Sequence, residues 1–477
     1  MSSHAEPLAF KANARRALAD RDLDTALGRM TSGLVPNRAR AVAALPEFEA
    51  LRDRARELKD HVLVNLDHYL ERFETNCLAS GGQVHWCPTA EDARRIVLKV
   101  CRAAGARTVT KSKSMIAEEL GLNGFLEANG IRPIETDLGE YIVQLADEPP
   151  SHIIAPAVHK TKEQISELFH RHHARYGLSQ RQTEPRALVA EARQVLRQKF
   201  LDADVGITGA NFLIAESGSS VMVTNEGNGD LTQTLPRVHV VIASIEKVVA
   251  TLEDATTILR LLSRSATGQE FSAYTTITTG SKRPEDADGP DEFHVILLDN
   301  GRSALIGSEF QDILRCIRCG ACMNHCPVYR SVGGHAYGAV YVGPMGAVLS
   351  PALIGIERGL HLPNASSFCG RCESVCPMRI PLPKLMRYWR ERAFDSGAAP
   401  AAERWALRAW AWAACRPRLY AQGARLAARL LRLLGGSRGR IGRLWLAGAW
   451  TATRELPAPE GRTFQERWHA ERERSDG

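Results

Sequence analysis

At 477 residues the chain is longer than one ordinary hydrophobic core can organise, so two or three folded units are expected. A composition of 44% hydrophobic and 24% charged residues excludes wholesale disorder, and a net charge of +7 is too modest for this length to imply nucleic-acid binding. The opening run "MSSHAEPLAFKANARRALADRDLD" scatters charge and lacks the apolar core of a secretion signal, so a cytoplasmic protein is expected. No stretch reaches the roughly 18 uninterrupted apolar residues of a membrane span; residues 405–415 and 444–450 come nearest and are short and flanked by arginine.

Residues 1–65 read as a helical arm or cap, with apolar side chains at three- and four-residue spacings. From about Val84 the rhythm changes to short β-rich runs: "QVHWC", "ARTVTKS", "IRPIETD", "SHIIAPAV", "DVGITGAN", "SSVMVTN", "HVVIAS", "SAYTTITT" and "FHVILLDN". Helix-like segments separate most of the early ones, which predicts an α/β domain with a mainly parallel sheet over residues 66–301. Lys111 and Lys113 follow one predicted strand and precede a helix, where such folds bind ligands, and either could meet an anion. "DVGITGANFLIAESGSSVMVTNEGNGD" reads first as turn chemistry, and Glu216 within it as a solvated loop acid rather than a nucleophile. His152, His159, His170, His172 and His173 show no metal-ligand spacing, the last two projecting to different helix faces.

Seven of the eleven cysteines fall between Cys316 and Cys376, while Cys77, Cys87, Cys101 and Cys415 are scattered and read as inert core thiols. "CIRCGACMNHCP" places Cys316, Cys319, Cys322 and Cys326 at spacings of two, two and three and ends in proline. That is the ferredoxin run whose fourth cysteine serves a second cluster. The second group is "SSFCGRCESVCP", with Cys369, Cys372 and Cys376; its missing first cysteine projects onto Ser366. Cross-ligation gives Cys316, Cys319, Cys322 and Cys376 to one cluster, and Cys326, Cys369 and Cys372, with a fourth position at or near Ser366, to the other. Two [4Fe–4S] clusters are expected. The second has only three assured thiolates, so its fourth ligand is serine, water or another group, or it is a three-iron cluster. Zinc fits less well, since a tetrahedral site needs neither the third closely spaced cysteine nor the repeated Cys-Pro ending.

Arg315, Arg318, Arg371 and Arg379 flank the cysteines, where positive charge would raise a cluster's potential, although each also reads as an ordinary surface arginine. Ile317, Val328, Val375 and Ile380 fit a dry shell. This segment spans residues 302–385, and a helical region over 386–477 follows, with ten arginines and no acid between Arg404 and Arg443. Such a basic, tryptophan-bearing tail could rest on a membrane surface, but docking on a partner is preferred.

Together, "CIRCGACMNHCPVY", "SSFCGRCESVCPMRIPL", "TVTKSKSMIAEELGLN" and "FHVILLDNGR" resemble the lactate utilisation protein B family, the upstream stretches matching its LUD domain. The resemblance implies a ribose-phosphate isomerase or CoA-transferase-like fold for that domain. It also implies an electron-transfer subunit of a cytosolic system oxidising L-lactate to pyruvate, with a cysteine-rich heterodisulfide-reductase-like companion and a second LUD protein. The serine in place of an eighth cysteine belongs to the family pattern. Two alternatives stand beside this: a self-sufficient 2-hydroxy acid oxidoreductase with substrate in the LUD domain, or a subunit serving glycolate or another 2-hydroxy acid.

Overall fold

The computed structural model describes residues 9–444 and 448–475; the first eight residues of the charged opening run and positions 445–447 of the second apolar stretch lie outside them. The chain divides into two compact units, one up to Ala398 and one from Ala399 onward.

In the first unit, helix Arg21–Ala43 starts where the Asp20 side chain accepts a hydrogen bond from Leu23 N–H, with Asp22 and Asp24 in its first turn opposing the helix dipole. Helix Phe48–Val64 buries Phe48, Arg52, Ala55, Lys59 and Val62 along one face. Two positions of that buried stripe are cations, a break in hydrophobic periodicity that the fold resolves by giving both of them carbonyl partners.

Ten strands follow: β1 (Gly82–Cys87), β2 (Thr108–Lys111), β3 (Arg132–Glu135), β4 (Val205–Gly209), β5 (Phe212–Ile214), β6 (Ser219–Thr224), β7 (Val238–Ser244), β8 (Val248–Val249), β9 (Tyr274–Thr278) and β10 (Glu292–Leu298). Six form one sheet in the order β1-β10-β7-β4-β2-β3, parallel at every pairing. β7 is buried along its whole length, as a central parallel strand covered on both faces must be, which is why "HVVIAS" reads as a continuous rather than alternating run. The α/β architecture expected from the sequence is therefore present. A second sheet, β8-β5-β6-β9, mixes parallel and antiparallel pairs; β5 and β8 are three and two residues long, too short to show in sequence periodicity.

The predicted strand "SHIIAPAV" is not one. Residues 151–158 form turns, because Pro156 has no amide to give a ladder and the preceding backbone is tied down locally: Ser151 N–H donates to Pro156 O (2.9 Å), and Ile154 and Ala155 N–H donate to His152 Nδ1.

The cysteine segment follows without a break in packing. Leu27, Met30 and Phe48 of the N-terminal helices, Ile258 and Leu262 of helix Leu252–Ala266, and Ile317, Met345 and Leu385 of the cysteine segment share one hydrophobic cluster. The second unit is helical, with Ala401–Ala414, Pro417–Gly435 and Phe464–Ser475 and a short antiparallel pairing of Arg440–Ile441 with Leu456–Pro457. Among the described residues no helix is long and apolar enough to cross a membrane.

Candidate functional site

The two cysteine loops repeat one backbone design. Arg318 (φ 59°) and Gly320 (φ 73°) bracket Cys319, and Phe368 (φ 55°) and Gly370 (φ 77°) bracket Cys369, so each loop alternates left-handed residues around a cysteine. Each then enters a four-residue helix, Ala321–Asn324 or Arg371–Ser374, and delivers its last cysteine just before a proline. Successive left-handed and right-handed residues turn backbone N–H groups inward, the concave arrangement that holds anionic sulfur clusters. Tyr329 N–H donates to Cys326 Sγ at 3.5 Å, Ala321 N–H to Cys319, and Met378 and Ile380 N–H to Cys376.

The thiols gather in two sets. Cys316, Cys319, Cys322 and Cys376 line one enclosed space together with Ile317, Met345, Met378 and Ile380. Burial, then the neighbouring Cys376, pushes the Cys319 thiol up to about 12, and Cys322 rises for burial and for the charges of Cys316, Cys319 and Cys376. Cys326, Cys369, Cys372 and Ser366 line a second space, where burial and Cys326 push Cys372 up to about 12. Cys322 also feels Cys372, so the sets are neighbours. Four thiols converging on one apolar-walled space are a donor set suited to a cationic metal centre, and the surrounding N–H donors and apolar walls fit an iron–sulfur cluster. In the second set three thiols are joined by hydroxyls: Ser366 Oγ accepts from Phe368 N–H at 3.1 Å, and the Ser367 hydroxyl donates to Cys369. In the first set Cys319 and Cys376 are buried and Cys316 and Cys322 half-buried, whereas Cys369 of the second set is exposed.

Of the apolar shell, Ile317, Val375 and Ile380 are buried and Val328 is half-buried. Among the arginines, Arg371 is exposed. Arg315 pairs with Asp60 at 2.5 Å and with Asp312, and Arg379 pairs with Asp53 (3.0 Å) and Glu49 (2.9 Å). Arg318 is no surface arginine: its side chain is only 11% exposed, 3.2 Å from Glu246 and 4.9 Å from the Tyr341 ring. Glu246 in turn lies 3.2 Å from Arg302, whose fully buried guanidinium holds Glu119 at 2.6 Å, and Tyr341 Oη donates to Glu119 at 2.6 Å. Although burial alone would raise it, Arg302 and Arg318 hold the Glu246 carboxyl down to about 2. This ion ladder fastens the first cysteine loop to the carboxyl edge of the large sheet.

Several residues here have no sequence signal. Arg52 donates to Cys376 O through Nε (3.0 Å) and Nη2 (2.7 Å), Arg38 donates to Val375 O at 2.9 Å, and Lys59 holds the backbone carbonyls of Glu246 and Val248. Their partners are hundreds of positions away, beyond any local pattern. The Arg390 guanidinium lies 4.2 Å over the Phe368 ring.

Other candidates are placed elsewhere. Lys111 is fully buried and bound by Glu135 (2.8 Å), Glu118 (3.1 Å) and Glu140 (3.8 Å), which removes it from any ligand. Lys113 lines a cavity at the carboxyl end of the sheet. Glu216 is an exposed acid whose carboxylate accepts from Leu252 N–H at 3.1 Å, at the start of helix Leu252–Ala266. His152 donates from Nε2 to Asn324 (2.9 Å) and accepts backbone N–H at Nδ1, His159 bonds Glu148, and His173 bonds Glu191 and Tyr141. Burial pushes Cys77 and Cys87 up to about 11 and Cys101 to about 12, as inert thiols, whereas Cys415 is exposed at the end of helix Ala401–Ala414 and is not a core residue.

Three family descriptions match in succession: a LUD domain over residues 70–298, a 4Fe-4S dicluster domain over 312–380, and the C-terminal region of lactate utilisation protein B over 391–473. The cysteine segment is thus a two-cluster iron–sulfur module. Similar proteins include lactate utilization protein B of Bacillus velezensis, 43% identical with 98% of each chain covered, and that of Bacillus subtilis, 42% identical with 98% of this chain and 97% of that one covered. The uncharacterized electron transport protein YkgF of Escherichia coli is 41% identical, with 98% of each chain covered. A solved duf162 family protein from Deinococcus radiodurans covers 49% of this chain and 98% of its own at 13% identity, with a TM-score of 0.27. With sequence identity above two-fifths along almost its whole length and all three of its segments matched in order, the chain belongs to the lactate utilization protein B family.

Proposed function

We propose that this chain is the electron-transfer subunit of a multi-component cytoplasmic system that oxidises L-lactate to pyruvate. The observation that carries the reading is the side-by-side placement of the two thiol sets, one holding the buried Cys319 and Cys376 beside the α/β domain and the other reaching the surface at Cys369. Bound clusters supply one-electron relays between a donor and an acceptor. Cys316, Cys319, Cys322 and Cys376 hold one, and Cys326, Cys369 and Cys372, with a serine hydroxyl at Ser366 as the fourth position, hold the other. The chain's own work is to keep these ligands in register and dry: Arg52 and Arg38 grip the second loop's carbonyls, and the Arg318–Glu246–Arg302 ladder fixes the first loop. Companion subunits, a cysteine-rich heterodisulfide-reductase-like protein and a second LUD protein, are the natural donor and acceptor. Exposed Trp405, Trp410 and Trp412, beside arginines with no acid among them, suit docking on an acidic companion surface.

The test is EPR spectroscopy and iron counting on anaerobically purified protein, titrated with L-lactate or glycolate with and without the companions. Roughly seven to eight irons and lactate-driven reduction that requires the companions are expected. A zinc-loaded, colourless protein, or clusters that no 2-hydroxy acid reduces in the full system, refutes it. Reduction by glycolate and not lactate replaces the substrate.

A further inference from the structure

The loop between helices Leu138–Leu145 and Lys162–His173 carries Glu148, His159 and Lys160, and the cysteine segment brings His335 onto it. His335 opens the short helical turn His335–Tyr337, behind helix Pro327–Val332. Its place is fixed by the residue before it. A Cβ on Gly334 would stand 1.9 Å from the Ser151 carbonyl oxygen, so only glycine lets the two backbones come this close. Gly334 N–H donates to Ser151 Oγ at 3.2 Å, and Tyr329 Oη donates to Ser151 O at 2.8 Å. The imidazoles of His159 and His335 consequently pack with ring centroids 4.5 Å apart, and one ligand atom from each of Glu148, His159 and His335 lies within 4.8 Å of the other two.

The hydrogen bonds set which atoms can offer a lone pair. His335 Nε2 lies 2.8 Å from Pro149 O, a carbonyl that can only accept, so Nε2 carries the proton and Nδ1 the lone pair. That is the outer contact by which metal-binding histidines are held in one tautomer and orientation. His159 Nε2 lies 2.8 Å from Glu148 Oε2, and its Nδ1 is buried with no hydrogen-bond partner, a polar atom of the kind that folded proteins seldom leave unsatisfied. Lys160 Nζ holds the other carboxylate oxygen, Glu148 Oε1, which leaves Oε2 on the side of His159. A cavity of about 330 Å³ borders the group, with Glu148, His159, Lys160 and His335 in its wall. Arg16 and Asp20 complete its charged lining, so two cations stand against two carboxylates.

We infer that Glu148, His159 and His335 bind one borderline divalent transition-metal ion, Zn²⁺ by preference, with its remaining coordination position open to the cavity. Two imidazoles and a carboxylate are a three-ligand set that zinc accepts, and a water from the cavity completes the tetrahedron. Donors on one tetrahedral zinc stand about 3.4 Å apart, so a closure of at most about 1.4 Å completes the site. Nitrogen donors disfavour hard Mg²⁺ and Ca²⁺, and the adjacent Lys160 ammonium adds a repulsion that only strong metal–nitrogen bonds offset. The ion ties a loop of the α/β domain to the cysteine segment through none of the seven clustered thiols, and the inference is independent of the redox reading above.

The experiment is calorimetric titration of the intact, cluster-loaded chain with Zn²⁺ under anaerobic conditions, with zinc and iron counted on the same samples after gel filtration. One zinc per chain should be retained without loss of iron, and an excess of Mg²⁺ should not displace it. Zinc-edge X-ray absorption should show nitrogen and oxygen scatterers at about 2.0–2.1 Å, whereas sulfur at about 2.3 Å would place the zinc on cysteines and overturn the inference. His335→Gln should weaken zinc binding at least tenfold with iron content unchanged, since even the outer contacts of a metal site are worth about tenfold. If that variant loses iron or fails to fold, Glu148→Gln is read instead, with the same expectation. No saturable zinc binding to iron-loaded protein, displacement by Mg²⁺, or unaltered affinity in the variant also overturns it.

Discussion

Replacing Glu246 by Gln removes the carboxylate shared by two guanidinium groups, those of fully buried Arg302 and mostly buried Arg318. Its carboxyl is held at about 2 against an ordinary value of 4.5, by the two arginines working against burial. At ~1.4 kcal/mol per pKa unit, that difference corresponds to about 3 kcal/mol of native stability at neutral pH. This agrees with the lower end of the roughly 3–5 kcal/mol lost when one partner of a buried ion pair is deleted. Unfolding entropy of about 2.1 cal/mol/K per residue over roughly 390 residues is about 0.8 kcal/mol/K, so the midpoint should fall by about 4 °C. Differential scanning fluorimetry at one fixed scan rate and pH 7 reads it. Because the native pKa is depressed, the wild-type advantage is complete above about 4.5 and is lost as pH falls from there towards 2. The gap between variant and wild type should therefore be constant from pH 6 to 8 and close in acid. A midpoint within about 1 °C of wild type at pH 7 would show that the ladder is neutral to stability and refute the reasoning.

Cys376→Ala should empty the set built by Cys316, Cys319 and Cys322, lowering iron by about half and removing one EPR signal; loss of the signal belonging to Cys326, Cys369 and Cys372 instead would falsify the crossed ligand sets. Glu140 is pushed well above 4.5 by burial and by Glu135, so the fold keeps it neutral, and its stabilising protonation is lost as pH rises from the ordinary carboxylate range through that raised value. Glu140→Gln should match wild type near pH 5 and gain on it progressively to pH 8 in thermal melts, and a pH-independent difference contradicts the assignment. In β4, a Cβ on Gly206 would stand 1.7 Å from the Thr232 carbonyl oxygen, backbone that cannot move aside cheaply. Gly206→Ala should cost about 3 kcal/mol or more, or abolish soluble expression, and a melt within 2 °C of wild type would contradict it.

What could be read from the sequence was what local spacing encodes. The cysteine intervals announce clusters because three thiolates from one tight loop require them, and "HVVIAS" and "FHVILLDN" announce buried parallel strands because no polar face interrupts them. "SHIIAPAV" misleads because β-branched composition outweighs, on paper, one proline and one histidine that the fold uses to make turns. Lys111 looked like a ligand-facing lysine because its position after a strand is right, while the three glutamates that enclose it come from the separate segments carrying Glu118, Glu135 and Glu140. The ion ladder and the Arg52 grip are long-range pairings of ordinary residue types; no period or motif marks them, and Arg52 even occupies a position that a hydrophobic stripe would assign to leucine.

The Arg52 grip also bears on when the protein can mature. It joins residues 324 positions apart, and each thiol gathering draws members from both cysteine runs, so neither pocket has its full lining until the ribosome has synthesised Cys376. Neither thiol gathering can therefore be complete while the second cysteine run is still being synthesised, and Arg52 of helix Phe48–Val64 can take hold of the Cys376 carbonyl only once that run has emerged.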